Sequence, residues 1–201
     1  MRRITRRMSP FCAQCGVPQP PADQGESFRC SSCGNIHNNG PQLLTLVAVY
    51  AEDKLLMIRR GVDPYRGKWA PPGGYVEKGE SVEAAGSREV FEETGLLIEP
   101  SNLLTHGVIS ITALNQVHIC LMAMLEKATP LRAGAPEALD AQWFSADAYP
   151  HDEVWDPFLS ISVAAVYHPC RTQRLPLLQQ TDNARRVVFT DVGFSHPWEK
   201  I

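Results

Sequence analysis

The chain lacks the marks of several protein classes. None of its apolar runs approaches the roughly 20 residues that a membrane-spanning helix needs, so no membrane association is expected. Its formal net charge is only −3, so no overall field attracts nucleic acid. The start, MRRITRRMSP, is basic, but no apolar stretch follows it. It is therefore not a secretory signal and reads as a short flexible tail over residues 1–10, with an organelle transit segment as the alternative. The expected compartment is therefore the cytoplasm. No internal repeat and no low-complexity tract is present. Cysteine is scarce, with 6 in 201 residues. At that length there is room for one well-buried domain and a small module.

Four of the cysteines are placed with regularity. Cys12-Ala-Gln-Cys15 and Cys30-Ser-Ser-Cys33 are two CxxC pairs separated by 14 residues, each followed by a glycine, Gly16 and Gly34. Glycine lets the chain turn tightly after the second sulfur, so that backbone N–H groups can point at thiolates. Four thiolates favour a closed tetrahedral Zn2+ site with a structural role. Two disulfides in a secreted protein are the alternative. The missing signal segment and the two remaining cysteines, Cys120 and Cys170, speak against it, and those two read as small core residues. His37 follows the second pair closely and is expected to be a loop residue, not a ligand. A zinc ribbon is thus predicted over 11–41. Between Cys12 and Cys33 its only basic residue is Arg29, which argues against a nucleic-acid grip and for scaffolding or dimerisation.

The acidic residues are also concentrated. Residues 74–96 read GYVEKGESVEAAGSREVFEETGL. Glu89, Glu92 and Glu93 stand three and four apart, so a helix crowds them on one side. Like charges so close weaken a helix by a few tenths of a kcal/mol per pair, and the cluster is best explained by a cation held against it. Oxygen-rich sites suit Mg2+ or Mn2+, which commonly bridge carboxylates to phosphates. Trp69-Ala-Pro-Pro-Gly-Gly74 cannot be helix. Ser81 is a candidate N-cap, and Gly95 stands where a left-handed residue closes a helix. Val82, Ala85, Val90 and Phe91 are expected to pack inward, and Arg88 to organise carboxylates bidentately. Gly86 in mid-helix costs roughly 1 kcal/mol relative to alanine, with no reason visible in the sequence.

The remaining pattern alternates strands and helices. Residues 43–50 and 55–59 read as a hairpin, 61–68 as a loop, and a short strand follows at Leu96. Residues 106–126 contain β-prone runs, notably 116–125, and 142–148 reads as a strand entering a short helix. An amphipathic helix is predicted over 156–168, packed through Phe158, Ile161, Ala164, Ala165 and Tyr167. This order suits an α/β fold with helices on a mixed sheet.

From Gly74 to Leu96 the sequence matches the Nudix box at all its fixed positions: Gly74, Glu80, Arg88-Glu89, Val90, Glu92-Glu93, Gly95 and Leu96. The chain therefore resembles a Nudix hydrolase with an N-terminal zinc ribbon. The resemblance implies an α/β/α sandwich over 42–170. Residues 171–201 have no counterpart in the family and read as an extension that is an extra strand, a dimer arm or a cover for the cleft. The resemblance also implies metal-dependent hydrolysis of a nucleoside diphosphate linked to another group, on a small-molecule nucleotide substrate. In this reading Glu89 and Glu93 hold the catalytic Mg2+ or Mn2+, Glu92 assists, and Arg88 organises them. A loop carboxylate outside the box adds a further ligand or base, and Glu137 matches it in position. Glu80 braces the loop. Arg59, Arg60 and Trp69 are candidates for contact with base or phosphate.

Two groups of ribbon-bearing Nudix enzymes are similar to this chain. NADH pyrophosphatases carry a tryptophan–proline motif after the box, whereas residues 109–118 read ISITALNQVH. The group acting on FAD and ADP-ribose resembles it better through Gln116, Pro136-Glu137 and Trp143-Phe144. FAD or ADP-ribose is thus the expected substrate, with AMP released; NADH hydrolysis is the alternative. A non-catalytic ligand-sensing regulator is opposed by the intact glutamates.

Overall fold

The computed structural model describes residues 11–18, 27–37, 40–154, 175–181 and 184–190. Two elements come before the main sheet. The strands β1 (Phe28–Arg29) and β2 (Ile36–His37) form a small antiparallel ladder. The predicted hairpin follows as β3 (Gln42–Ala51) and β4 (Lys54–Arg60). Its two-residue turn places Glu52 and Asp53 at φ of 49° and 60°. That left-handed pair twists with the strands and holds the hairpin tight. After β5 (Trp69–Ala70) comes the helix α1 (Val82–Thr94), then β6 (Leu104–Ile111), β7 (Gln116–Leu125), β8 (Ala138–Ser145), β9 (Leu175–Thr181) and β10 (Ala184–Thr190).

The strands form one mixed sheet in the order β10-β9-β6-β7-β3-β4-β5, with β8 also paired to β4. At its centre β3 runs parallel to β7 in unbroken register from Gln42↔Gln116 to Ala51↔Leu125. Among the described residues one α-helix covers this sheet. Val47, Val49, Leu56, Val90, Leu103, Leu121 and Ala123 form the core between helix and sheet. Tyr50, Met57, Trp69, Met122 and Val154 form a second core, which buries the alternate residues of the same strands.

Gly86 acquires a reason here. It is buried, and a β-carbon on it would lie 2.6 Å from Leu121 Cδ1 and 3.1 Å from Val47 Cγ2. The missing side chain lets α1 settle onto β3 and β7. Phe91 differs from its expected inward packing, being 45% exposed; it stands beside Glu92 on the outer face. The strand expected at Leu96 does not form. The chain instead leaves α1 extended, with the Ile98 carbonyl accepting from the Ser87 hydroxyl at 2.6 Å, and enters a 3-10 turn at Pro100–Asn102. Cys120 is buried as expected. The helix predicted over 156–168 and Cys170 lie outside the described residues. Within the extension, β9 pairs in parallel with β6, and β10 pairs with β9. No helix among the described residues is long and apolar enough to cross a membrane.

Candidate active site and cysteine cluster

The loop before α1 is held by the sheet. The strands β3 and β4 pair only next to their turn, at Tyr50↔Leu55 and Ala51↔Lys54. Residues 72–76 lie against the freed part of β3: Val47 N–H donates to the Pro72 carbonyl, Thr45 N–H to Gly74, and Val76 N–H to Leu43, at 2.8 to 3.0 Å. Gly73, at φ 157°, lies so close to the strand that a β-carbon would come 2.9 Å from Leu46 Cα. Only glycine permits that approach.

The helix starts and stops where the sequence indicated. The Ser81 hydroxyl accepts from Ala84 N–H at 3.1 Å, and Gly95, at φ 73°, donates to the Phe91 carbonyl. Between these ends, α1 aims Glu89 and Glu93 inward, and both are buried. A Glu93 carboxylate oxygen accepts from Gly73 N–H at 2.9 Å. Gly74 abuts the Glu89 carboxylate so closely that a β-carbon would overlap it. Glu92, in contrast, is exposed. Glu137 is exposed on the loop before β8, close enough for its charge to act on both Glu89 and Glu93. The charge of Glu137 therefore reaches the buried pair, while exposed Glu92 is held by Arg88.

Burial pushes the Glu93 carboxyl up to about 8; the Gly73 N–H opposes this, while the Glu89 and Glu137 charges add to it. Burial likewise raises Glu89, against the pull of Arg88. Buried carboxylates that repel one another are stabilised in their charged form by a cation. All-oxygen donors of this kind fit a hard divalent ion such as Mg2+ or Mn2+.

Arg88 binds several partners at once. Its guanidinium donates to both Glu80 oxygens at 2.8 and 3.2 Å, to Glu89 at 2.8 Å, to Glu92 at 3.2 Å and to the Tyr75 carbonyl at 3.0 Å. The rigid fork of arginine suits such bidentate contact. Glu80 in turn accepts from Glu77 N–H at 2.6 Å. Its carboxyl is held below the usual range, chiefly by the Arg88 hydrogen bonds. Glu80 thus faces the loop through Arg88.

The three candidates for contact with base or phosphate separate. Trp69 is 6% exposed and packs edge-on against Phe144, with ring centroids 4.8 Å apart, so it belongs to the core. Arg59 is exposed, bonded to the Gly67 carbonyl at 3.0 Å and paired with Glu153 at 3.7 Å. Arg60 is half-buried and feels the charges of Glu93, Asp63 and Tyr75. A polar string that the sequence did not reveal runs beside the loop. His118 Nε2 donates to Gln116 Oε1 at 3.1 Å, and the Gln116 amide donates to the Tyr75 hydroxyl at 3.2 Å.

The cysteines form a separate centre. Sulfur atoms of Cys12, Cys15, Cys30 and Cys33 all lie within 4.8 Å of one another. The Cys12–Cys33 and Cys15–Cys30 separations are both 3.7 Å. Four sulfurs about 2.3 Å from a central Zn2+ stand about 3.8 Å apart, so the set fits that ion. Gly16 and Gly34 take φ of 73° and 72°, and each donates its N–H to the carbonyl of the first cysteine of its pair. Burial opposes ionisation of Cys12, but N–H groups of Cys15 and Gln14, with His37, hold its thiol down at about 6. His37 lies in β2 with Nε2 3.2 Å from Cys12 Sγ, beside the sulfur cluster.

Comparison with known proteins accords with this arrangement. Over 53 residues, 26% of this chain, it is 49% identical to an ADP-ribose pyrophosphatase of Methanocaldococcus jannaschii, covering 31% of that protein. Over 141 residues, 68% of this chain, it is 32% identical to the NAD-capped RNA hydrolase NudC of Haemophilus influenzae, covering 52% of that protein. The chain thus spans about half or less of the length of these relatives. A NUDIX hydrolase from Nitrosomonas europaea superposes with a TM-score of 0.69 at 22% identity, covering 85% of this chain and 97% of the other; it shares the fold. The NUDIX domain family model matches residues 41–161, from the first strand of the main sheet past the glutamate-bearing helix. The chain belongs to the NUDIX family.

Proposed function

We propose that this chain is a divalent-metal-dependent pyrophosphatase that cleaves the P–O–P bridge of a nucleoside diphosphate linked to another group. FAD and ADP-ribose are the favoured substrates, and AMP is released. One observation carries the reading: α1 buries Glu89 and Glu93 against the Gly73–Gly74 loop, and the charge of Glu137, on the loop before β8, reaches both. Glu89, Glu93 and Glu137 would hold Mg2+ or Mn2+, with Glu92 in support. Such ions neutralise the diphosphate and lower the pKa of bound water. The chain's own part is positional. Gly73 N–H fixes the Glu93 carboxylate, Arg88 ties Glu89 to the loop, and Glu137 completes the acidic ring. Half-buried Arg60, beside Glu93, suits a substrate phosphate. The four cysteines would hold one structural Zn2+, in a ribbon over 11–41 separate from the hydrolase domain over 42–170.

The second reading is NADH pyrophosphatase. The extent of similarity to NudC, at 68% of this chain, favours it. Residues 109–118 oppose it, because the tryptophan–proline motif of that group is absent there. A comparison of kcat/KM for FAD, ADP-ribose and NADH under one metal, with AMP quantified, decides between them. Rejection by mismatched polar groups spans orders of magnitude, so the preference is expected to be clear. A tenfold preference for NADH would favour the second reading. Glu93→Gln is expected to lower kcat roughly 100- to 1,000-fold; near-normal turnover in the folded variant would remove Glu93 from the site.

A further inference from the structure

Two glycines outside the box flank the segment that carries Glu137. Neither Gly61 nor Gly134 adopts a positive φ, as six other glycines among the described residues do, so what each requires is space. A β-carbon on Gly134 would overlap the Glu92 carbonyl oxygen and lie 3.1 Å from Glu93 Cα. The Gly134 N–H donates to the Glu93 carbonyl at 3.0 Å, and Arg132 N–H to the Thr94 carbonyl at 2.8 Å. Residues 132–134 therefore lie flat on the last turn of α1 and occupy carbonyls that a helix end leaves unpaired. On the opposite side, a β-carbon on Gly61 would overlap the Pro136 carbonyl oxygen and lie 3.1 Å from the Glu137 oxygen. The Gly61 N–H donates to that Glu137 oxygen at 2.7 Å, and Ala138 N–H closes the turn onto the Gly134 carbonyl at 2.9 Å. The Glu137 backbone is thus clamped between the end of α1, which carries Glu93, and the end of β4.

We infer that Gly134 and Gly61 are positioning residues whose absent side chains set Glu137 against Glu89 and Glu93. The inference rests on the reading of Glu137 as a site carboxylate. A methyl group needs about 3.5 Å from its neighbours, so alanine at either glycine, whose β-carbon would overlap a carbonyl oxygen, pushes the loop back by more than an ångström. Misplacement on that scale costs on the order of 100-fold in rate.

The test uses the full zinc-loaded chain. Gly134→Ala and Gly61→Ala are compared with Gly40→Ala, where a β-carbon meets nothing. Each is made alone and on a Glu137→Gln background. Mn2+ binding is read from the electron paramagnetic resonance of the free ion, and kcat is measured in parallel. Gly134→Ala alone should weaken Mn2+ binding at least tenfold and lower kcat about 100-fold. Added to Glu137→Gln it should change either by no more than about twofold, because residues acting through one another are non-additive. Wild-type binding and turnover in Gly134→Ala, with Glu137→Gln impaired, would overturn the clamp while leaving the site reading intact. Equal losses in both backgrounds would also overturn it. Full activity in Glu137→Gln would remove the site reading on which the inference stands. If Gly134→Ala fails to fold, Ala135→Gly loosens the same turn without adding atoms. It should weaken Mn2+ binding roughly threefold, and unchanged binding would refute the proposal.

Discussion

Replacing Arg88 with lysine keeps a positive charge and removes the fork. The arginine makes five hydrogen bonds, to Glu80 twice, Glu89, Glu92 and the Tyr75 carbonyl. A lysine ammonium carries three donors on a single atom and cannot span Glu80 and the Tyr75 carbonyl together. At least two bonds are lost. Bonds to charged groups are each worth about 1.5–3 kcal/mol when shielded. The Arg88 side chain is 27% exposed and that of Glu92 50%, so solvent screens part of this. The expected loss is about 2 kcal/mol of unfolding free energy, read from the urea midpoint at constant slope. Arg88→Lys should also lower kcat by roughly 10- to 100-fold, because the loop and Glu89 lose their shared anchor. A cycle with Glu80→Gln should show coupling of about 1–2 kcal/mol. The acid limb adds a sign. Glu80 is held below its usual pKa by Arg88, so its stabilisation is full above the unfolded value and disappears as pH falls through the lowered folded value. Arg88→Lys should flatten that limb. A variant within about 0.5 kcal/mol of the parent, with turnover within threefold, would refute the organising role.

Other outcomes follow from the same structure. Burial pushes the His118 imidazole from 6.5 down to about 4. It stays neutral in the folded state while the unfolded chain takes up a proton, so stability should fall as pH drops from 6.5 to 4, by up to ~3 kcal/mol. In His118→Gln that stretch of the urea-midpoint profile should level out; an unchanged slope would assign it to other groups. Elemental analysis should find about one zinc per chain, retained after mild chelation. Cys30→Ser should lose it, whereas disulfides joining these cysteines in zinc-free protein would reverse the assignment.

The box was legible because its signal is local. The capping serine, the closing Gly95 and the glutamate spacing each act within a turn or two of helix. The cysteine pairs were legible for a related reason, since each knuckle is a four-residue turn with its own glycine. The hairpin was legible from its two apolar runs, although the left-handed pair at Glu52-Asp53 carries no glycine signal. Gly86 was not interpretable and Gly134 carried no signal, because each answers to a neighbour remote in sequence: Leu121 and Val47 for one, the Glu92 carbonyl for the other. Trp69 was read as a contact for base or phosphate, since an aromatic beside a glycine loop looks available until the fold buries it edge-on against Phe144. The string from His118 through Gln116 to Tyr75 joins β7 to the loop, and neither segment signals the other.

The parallel ladder between β3 and β7 also governs the time course of folding. Its first rung joins Gln42 to Gln116 and its last joins Ala51 to Leu125, so the centre of the sheet cannot form until the whole intervening chain has been looped back. Closure entropy must be met before those contacts reward it. The cysteine module closes over far shorter loops. Refolding in the presence of zinc should therefore be biphasic: metal capture comes first, and the sheet follows in the slower range typical of non-local β pairing.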